Sequence, residues 1–396
     1  MSGFQLPLKC TLIEIKNNKK LTMSIIYDFW GSRPMGNTNV GIGAAVPPSQ
    51  KRLIEMLKPK LGKKVSYQGY DLSGYYREKW SEQLKFLGSG TTNPKLSKNK
   101  RISFIMYMQP ARYGKIKKAA GGFQNTCKNA SPECIRTCLN LSGSAQYLDQ
   151  KLLARTKRTA LYYYDREYFL TKLALEIFKA ANSNKGIEVA IRVNGTSDLP
   201  IVPEMEALGL LQDLPDNVVF YDYTKNPESM NSGAGHGWGF RRLKNKAKTP
   251  YVVTFSRSEI NQKDALKVLK GGGIVAIPFT NFSGMKERSK EQIKKIVDGK
   301  KVNTGKYKDP DYPIKGAYDL PRTWFGYKVL NGDMKDDYML DLAFGLEKEK
   351  LSRGNGVVLG LHVKDVFNTK TKKKMNFELK KDGFLVVCDS FNCRVG

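Results

Sequence analysis

Apolar positions recur along this chain in two rhythms, and the change between them falls near residue 100. Before it, Gly, Pro and Asn break up the pattern (GSRPMGNTNVGIGAAVPPSQ), and SGTTNPKLSKNKR reads as a linker. Two amphipathic stretches stand between them. A short helix is predicted over 50–61 and a longer one over 71–88, with Tyr75, Trp80, Leu84 and Phe86 as its apolar anchors. From residue 101 short apolar runs of the kind buried on both faces of a parallel sheet take over: 101–109, 187–193, 218–224, 251–256, 273–280 and 357–364. Helix-period stretches lie between them, at 147–164, 165–182, 202–211, 260–271 and 290–298. Repeated strand–helix alternation predicts a parallel sheet with right-handed crossovers. Five or six such units predict an α/β fold, a (β/α) barrel or partial barrel, with an open doubly wound sheet as the alternative. The expected organisation is a basic N-terminal extension or accessory subdomain over 1–100 and a barrel-like core over 101–396, with insertions at 299–326 and 341–355.

Charge adds a partner to this picture. The 396 residues hold 67 Lys and Arg against 37 Asp and Glu, a formal charge of +30. Residues 1–126 alone carry 22 basic and 6 acidic side chains, a net of +16. A surplus of this size favours a polyanion, of which nucleic acid or a nucleotide is the usual one; a Lys-rich solvated surface is the bland alternative. The chain has no apolar run of 18 residues and no signal-peptide order at its start, so no membrane association and a cytoplasmic location are expected. In a reducing compartment the six cysteines are expected to be free, metal-bound or catalytic rather than paired.

Three of those cysteines, Cys127, Cys134 and Cys138, fall within twelve residues in TCKNASPECIRTCLN, after a Gly-rich loop that follows the first core strand. Thiolates are soft ligands suited to iron–sulfur clusters, zinc or copper(I). A structural zinc takes four protein ligands, and the two histidines, His236 and His362, are distant in sequence, as are Cys10, Cys388 and Cys393. Three thiolates on one loop suit a [4Fe–4S] cluster with one open iron; zinc and ordinary thiols remain alternatives. Cys388 and Cys393 read as plain thiols or as a second metal half-site.

The segments QPAR (109–112), GGFQNTCKNASPECIRTCLN (121–140), ARTKRTALYYYDREYF (154–169), AIRVNGTSD (190–198), FYDYTK (220–225), TFSRSE (254–259) and GVVLGLHVK (356–364) together resemble a bacteriophage family, the gene-product-88-like proteins, over about 101–387. That resemblance implies a phage-type protein of the host cytoplasm and a distant relationship to radical S-adenosylmethionine (SAM) enzymes. It thereby implies a [4Fe–4S] cluster on the three cysteines and SAM as a possible second cofactor. Two features depart from the radical SAM pattern. Six and then three residues separate the cysteines, where three and then two are usual. The second core strand ends in Asn194-Gly195-Thr196-Ser197-Asp198 rather than in a Gly-Gly-Glu-like segment.

In a parallel barrel, chemistry gathers at the carboxyl ends of the strands. Arg192, Asn194, Asp198, Asp222 and Lys225 stand there as candidate catalytic residues, and Thr196, Ser256, Ser258, Glu259 and Asp333 as candidate cofactor-binding residues. Helix capping accounts for Ser256 or Ser258 with Glu259 equally well. Arg192 and Asp222 lie within apolar strands, where an unpaired charge is costly, so a pair between neighbouring strands is expected. The loop GAGHGWGF (233–240), with His236, lacks the strand-then-helix setting of a phosphate-binding loop. Two functions fit: an iron–sulfur enzyme acting on nucleic acid or a nucleotide, and a non-enzymatic nucleic-acid-binding protein with a structural metal.

Overall fold

A computed structural model describes residues 50–89, 101–110, 125–136, 138, 149–230, 238–279, 320–333, 337–346, 351–352, 354–362, 383–386, 388 and 392–393. The predicted helix at 290–298 and His236 lie outside these residues. Seven parallel strands form the centre: β4 (Ile102–Met106), β5 (Val189–Arg192), β6 (Val218–Thr224), β8 (Pro250–Ser256), β9 (Ile274–Phe279), β11 (Tyr327–Asn331) and β12 (Val357–His362). The sheet runs β4-β5-β6-β8-β9-β12-β11, with β7 (Phe240–Arg242) antiparallel on the first half of β8.

Helices cover both faces. Helices α3 (Asp149–Tyr164), α4 (Arg166–Ser183), α5 (Ile201–Ala207) and α6 (Gln262–Lys270) follow α1 (Gln50–Leu57) and α2 (Pro132–Arg136). Their apolar residues, among them Leu161, Phe169, Leu173, Met205 and Val268, pack on Ile191, Phe220, Val253, Phe255 and Val275 of the sheet. The alternate strand residues Ala190, Val219, Tyr221, Val252 and Ile274 face the opposite way and meet Met339, Leu340 and Leu342 of α7 (Tyr338–Ala343). From β4 to β9 the chain advances in one direction, and from β11 to β12 it steps back. Right-handed crossovers therefore place α7 on the other face. Arg101 ties α7 to the start of β4: its side chain, 6% exposed, bonds Asp341 at 2.6 Å and Asp337 at 3.3 Å and also contacts Glu188. Among the described residues no helix is long and apolar enough to cross a membrane.

The barrel expectation is overturned, and with it the radical SAM-like architecture. The sheet is mixed and open. The outer edge of β4 is taken by the antiparallel β3 (Leu87–Ser89), so it cannot pair with the far end. At that far end β10 (Thr323–Trp324) runs antiparallel to β11 and carries β13 (Asn392–Cys393). Cys388 and Cys393 are joined by a disulfide, which corrects the expectation of unpaired thiols. That bond curls the far end. Val386 bridges Phe279 of β9, and the disulfide holds Cys388, two residues on, 5.1 Å (Cα–Cα) from Cys393. Four strand steps across a flat sheet would separate β9 from β13 by about 19 Å.

The predicted helix over 71–88 is also replaced. Short 3₁₀ turns at Ser73–Tyr75 and Trp80–Glu82 lead into β3. Tertiary bonds outweigh helical periodicity here: Glu176 of α4 accepts from the backbone N–H groups of Phe86 and Leu87, and the buried Lys172 donates to Gln83 at 2.8 Å. Tyr75 and Phe86 are buried as expected, whereas Leu84 is exposed.

Candidate functional site

The cysteine loop lies across the carboxyl ends of β4, β5, β6 and β8. Its first anchor follows β4. The Thr126 hydroxyl donates to Gln109 O at 2.9 Å, Gln109 N donates to the Thr159 hydroxyl of α3 at 2.8 Å, and Asp198 N donates to Thr126 O at 2.8 Å. Asn125 accepts from Cys127 N, and the Cys127 thiol donates to Thr196 O at 3.6 Å. The Thr196 hydroxyl donates to Met108 O, closing β5 against β4. Gly195 is needed where these strands meet: a Cβ there would lie 2.7 Å from Met106 O and from the Tyr107 ring.

The second anchor is Glu259, beyond β8. Its carboxylate accepts from the Ser131 hydroxyl at 2.7 Å and from Glu133 N at 3.1 Å, capping the short α2 that carries Cys134. Glu259 thus positions a cysteine from three strands away, and Ser258 serves the turn after β8, where its N–H donates to Asn261.

Lys225, beyond β6, joins these parts. Its ammonium donates to the Ser256 hydroxyl at 2.9 Å and bonds the Cys134 sulfur. Burial works against that charge, but Cys134, Asp198 and Cys127 outweigh it and hold Lys225 above the ordinary lysine value. Asp198 accepts from the Thr224 hydroxyl at 2.8 Å and from Lys225 N at 3.0 Å. Burial first, then the neighbouring Cys138, Asp198 and Cys134, push the Cys127 thiol up to about 12. Arg155 of α3, stacked 4.9 Å over the Tyr107 ring, lies within electrostatic reach of Cys138, and Tyr163 within reach of Cys127. The three thiols, none of them in a disulfide, therefore lie within electrostatic reach of one another and of two cations.

Asp222 sits behind this pocket. It accepts from Asn194 N at 3.0 Å, from Asn194 Nδ2 at 3.1 Å and from the Tyr251 hydroxyl. Burial raises its carboxyl to about 7, against the opposing effects of Arg192 and Asn194. Arg192 stacks 4.6 Å over Tyr223 on the α7 face of the sheet, with its charge still felt at Asp222. Because the folded value lies above the ordinary aspartate value of 3.8, this carboxyl's stabilisation is complete below pH 4 and is lost as pH rises through 7, on the order of 4 kcal/mol. Asp222→Asn keeps an acceptor for Asn194 and removes the ionisation. Its melting temperature should stay level across that interval and exceed the wild-type value above pH 7; parallel melting curves for the two proteins would contradict the assignment.

The structure thus brings together Cys127, Cys134, Cys138, Thr196, Asp198, Lys225, Ser256 and Glu259, with Asn194 and Asp222 adjoining. Asp333 is elsewhere, beyond β11, paired with His362. Sequence reasoning passed over Arg155. Its signal was helical spacing: Arg155 and Thr159 stand four residues apart, on one face of α3, and Thr159 holds Gln109.

Three thiols suit a metal–sulfur group in donor type. Among the described residues, however, no group of three or more His, Cys, Asp or Glu side chains is placed to hold a metal ion. For zinc, with bonds of 2.3 Å, the sulfurs would need to approach to about 3.8 Å of one another. A multi-iron cluster holds its thiolates farther apart. Gln109 Oε1, Asn226 Nδ2 and Ser258 Oγ, at the ends of β4, β6 and β8, are buried with no partner among the described residues, which leaves polar groups for a ligand or water to meet.

Neither a curated protein nor a solved structure matches the chain. A family model, Gene product 88, matches residues 84–318, which take in β3 through β9 and the whole cysteine loop. That match spans well over half of the chain, and the protein belongs to the Gene product 88 family.

Proposed function

We propose that this is an iron–sulfur protein whose Cys127, Cys134 and Cys138 hold a [4Fe–4S] cluster at the carboxyl edge of an open parallel sheet, and that it is an enzyme acting on nucleic acid or a nucleotide. The observation that carries the reading is Lys225. Its buried ammonium bonds the Cys134 sulfur and lies beside Asp198 and Cys127, where it would compensate the thiolate charge of a cluster's ligands. Arg155 near Cys138 supplies a second compensating charge. Such a cluster supplies one-electron chemistry and, with three protein ligands, one open coordination position. Lys225 and Arg155 would hold the charge of the thiolates, Glu259 would fix Cys134, and Asp198 would present a buried acceptor beside the open side.

Anaerobically purified protein should absorb broadly near 400 nm and contain about four iron atoms and four labile sulfides per chain. Stoichiometric zinc without labile sulfide would overturn the reading in favour of a structural metal. SAM is a proposed ligand of the open iron, carried by the family resemblance alone. If it binds there, the reduced protein releases 5′-deoxyadenosine; an intact cluster with no such product limits the proposal to another redox or binding role.

The polyanion part of the proposal rests on the net +16 of residues 1–126. Affinity for DNA or RNA should fall steeply between 50 and 200 mM salt, on the order of a thousandfold if six phosphates are neutralised. Salt-insensitive binding would reduce that charge to a solvated surface.

A further inference from the structure

We infer that a platform of tyrosine and lysine side chains at one end of α3 binds single-stranded nucleic acid, taking an unpaired base on Tyr164 and phosphates on Lys63 and Lys64. The inference rests on the reading of nucleic acid as the partner, and it names the form and the place. The platform is built around a hairpin, β1 (Ser66–Tyr67) and β2 (Tyr70–Asp71), in which Tyr67 pairs with Tyr70. Gln68 and Gly69 join the strands with φ angles of 51° and 80°. Positive values at both positions make the tight turn that fits the twist of paired strands. Residues directly opposite in a pair share one face. Both tyrosines rest on the hydrophobic core and fix the hairpin there.

Tyr67 also meets Tyr164, the last residue of α3, with ring centroids 5.3 Å apart and planes tilted by 48°. Tyr164 is 48% exposed, whereas Tyr162 is buried. A half-open ring braced by a second ring offers a flat face to a base without first having to be ordered. Bases inside a duplex are covered by their neighbours, so such a face selects single strands. Cations surround the rings. Lys63 and Lys64 are exposed, and neither has an ion-pair or hydrogen-bond partner among the described residues. They lead straight into the hairpin, whose pairing continues where Leu72 N donates to Val65 O at 2.8 Å. Lys64 stands three residues before Tyr67, at most about 10 Å along the backbone, so one strand can meet both. The charges of Lys157 and Arg77 are felt at Asp71 on the same hairpin. Acids are present too, but Asp71 accepts from Ser73 N at 2.9 Å and Asp165, next to Tyr164, bonds Lys60 at 2.7 Å. Glu78 lies beside Gly62. The two unpartnered lysines leave a positive surplus for a phosphate chain.

The test uses the full chain and fluorescence anisotropy with a labelled oligothymidylate of about 12 nucleotides, a length within the range of single-strand sites, its abasic counterpart and a duplex of equal length. Tyr164→Ala should weaken binding of the oligothymidylate roughly tenfold, the effect of one lost base–ring stack. It should leave the abasic strand unaffected, which also shows that the variant is folded. Tyr164→Phe keeps the ring and should bind like wild type. Changing Lys63 and Lys64 together to Gln should reduce the slope of log affinity against log salt by about 1.4, from two phosphates at about 0.7 each. Iron is measured on the same samples, so failure of the cluster reading and failure of this one are separate results. Unchanged binding in the Tyr164→Ala and lysine variants would overturn the platform and leave the nucleic-acid reading standing. Equal weakening of the abasic strand by Tyr164→Ala would overturn stacking, and tighter binding of the duplex would overturn the single-strand assignment. No binding by the wild-type protein would overturn this inference together with the reading beneath it.

Discussion

Changing Cys127, Cys134 and Cys138 together to serine should abolish iron and labile sulfide binding, while the apo form of the variant melts close to the wild-type apo protein. The reason lies in how the loop is held. Its anchors are the Thr126 hydroxyl on Gln109, Asp198 N on Thr126 and the Glu259 carboxylate on Ser131 and Glu133, and none of them uses a sulfur atom. Removing the thiols takes away the ligands and leaves the frame. Retention of iron by the triple variant would place the metal elsewhere. Collapse of the apo variant would show instead that the sulfurs are packing elements.

Arg101→Ala should be among the most destabilising single changes in the chain, at about 3–5 kcal/mol. The guanidinium sits among Glu188, Asp337 and Asp341, with Asp337 1% and Asp341 11% exposed. Truncation removes this cation from two buried carboxylates, and breaking a desolvated ion pair is the costly case. Because Asp337 precedes α7 and Asp341 lies in it, the damage should be felt first there, and amide exchange in 338–343 should accelerate more than in α4. A loss below about 1 kcal/mol, the scale of an exposed ion pair, would mean that water already screens the group.

Much of the α/β character was legible because it is local. Runs such as VVFYDYT and YVVTFS become β6 and β8 almost residue for residue, and Ala265 and Leu269 bury the predicted face of α6. Closure was not legible, because it depends on which strands end the sheet. The edge partner of β4 is only three residues long, and no period in the sequence announces Leu87–Ser89. The relation of Arg192 to Asp222 shows a second limit. That β5 and β6 are neighbours followed from their order. Which way each side chain points depends on register: Ile191 pairs with Phe220, so Arg192 and Asp222 project from opposite faces. The site gathered around the cysteines because carboxyl ends of parallel strands must share one edge. Arg155 needed the third dimension, because it reaches in from a helix.

The two rims of the sheet have a consequence for how the molecule meets others of its kind. An exposed strand edge is a template on which a second chain can add hydrogen bonds without limit. Among the described residues one rim is β3, three residues long, and the other is β13, two residues long and fastened by the Cys388–Cys393 bond. An incoming strand would find only two or three ladder positions on either rim, too few to hold it. Growth of one sheet into another is thereby suppressed at both ends, and the strands can concentrate long, apolar, aggregation-prone sequence in the middle while remaining separate molecules.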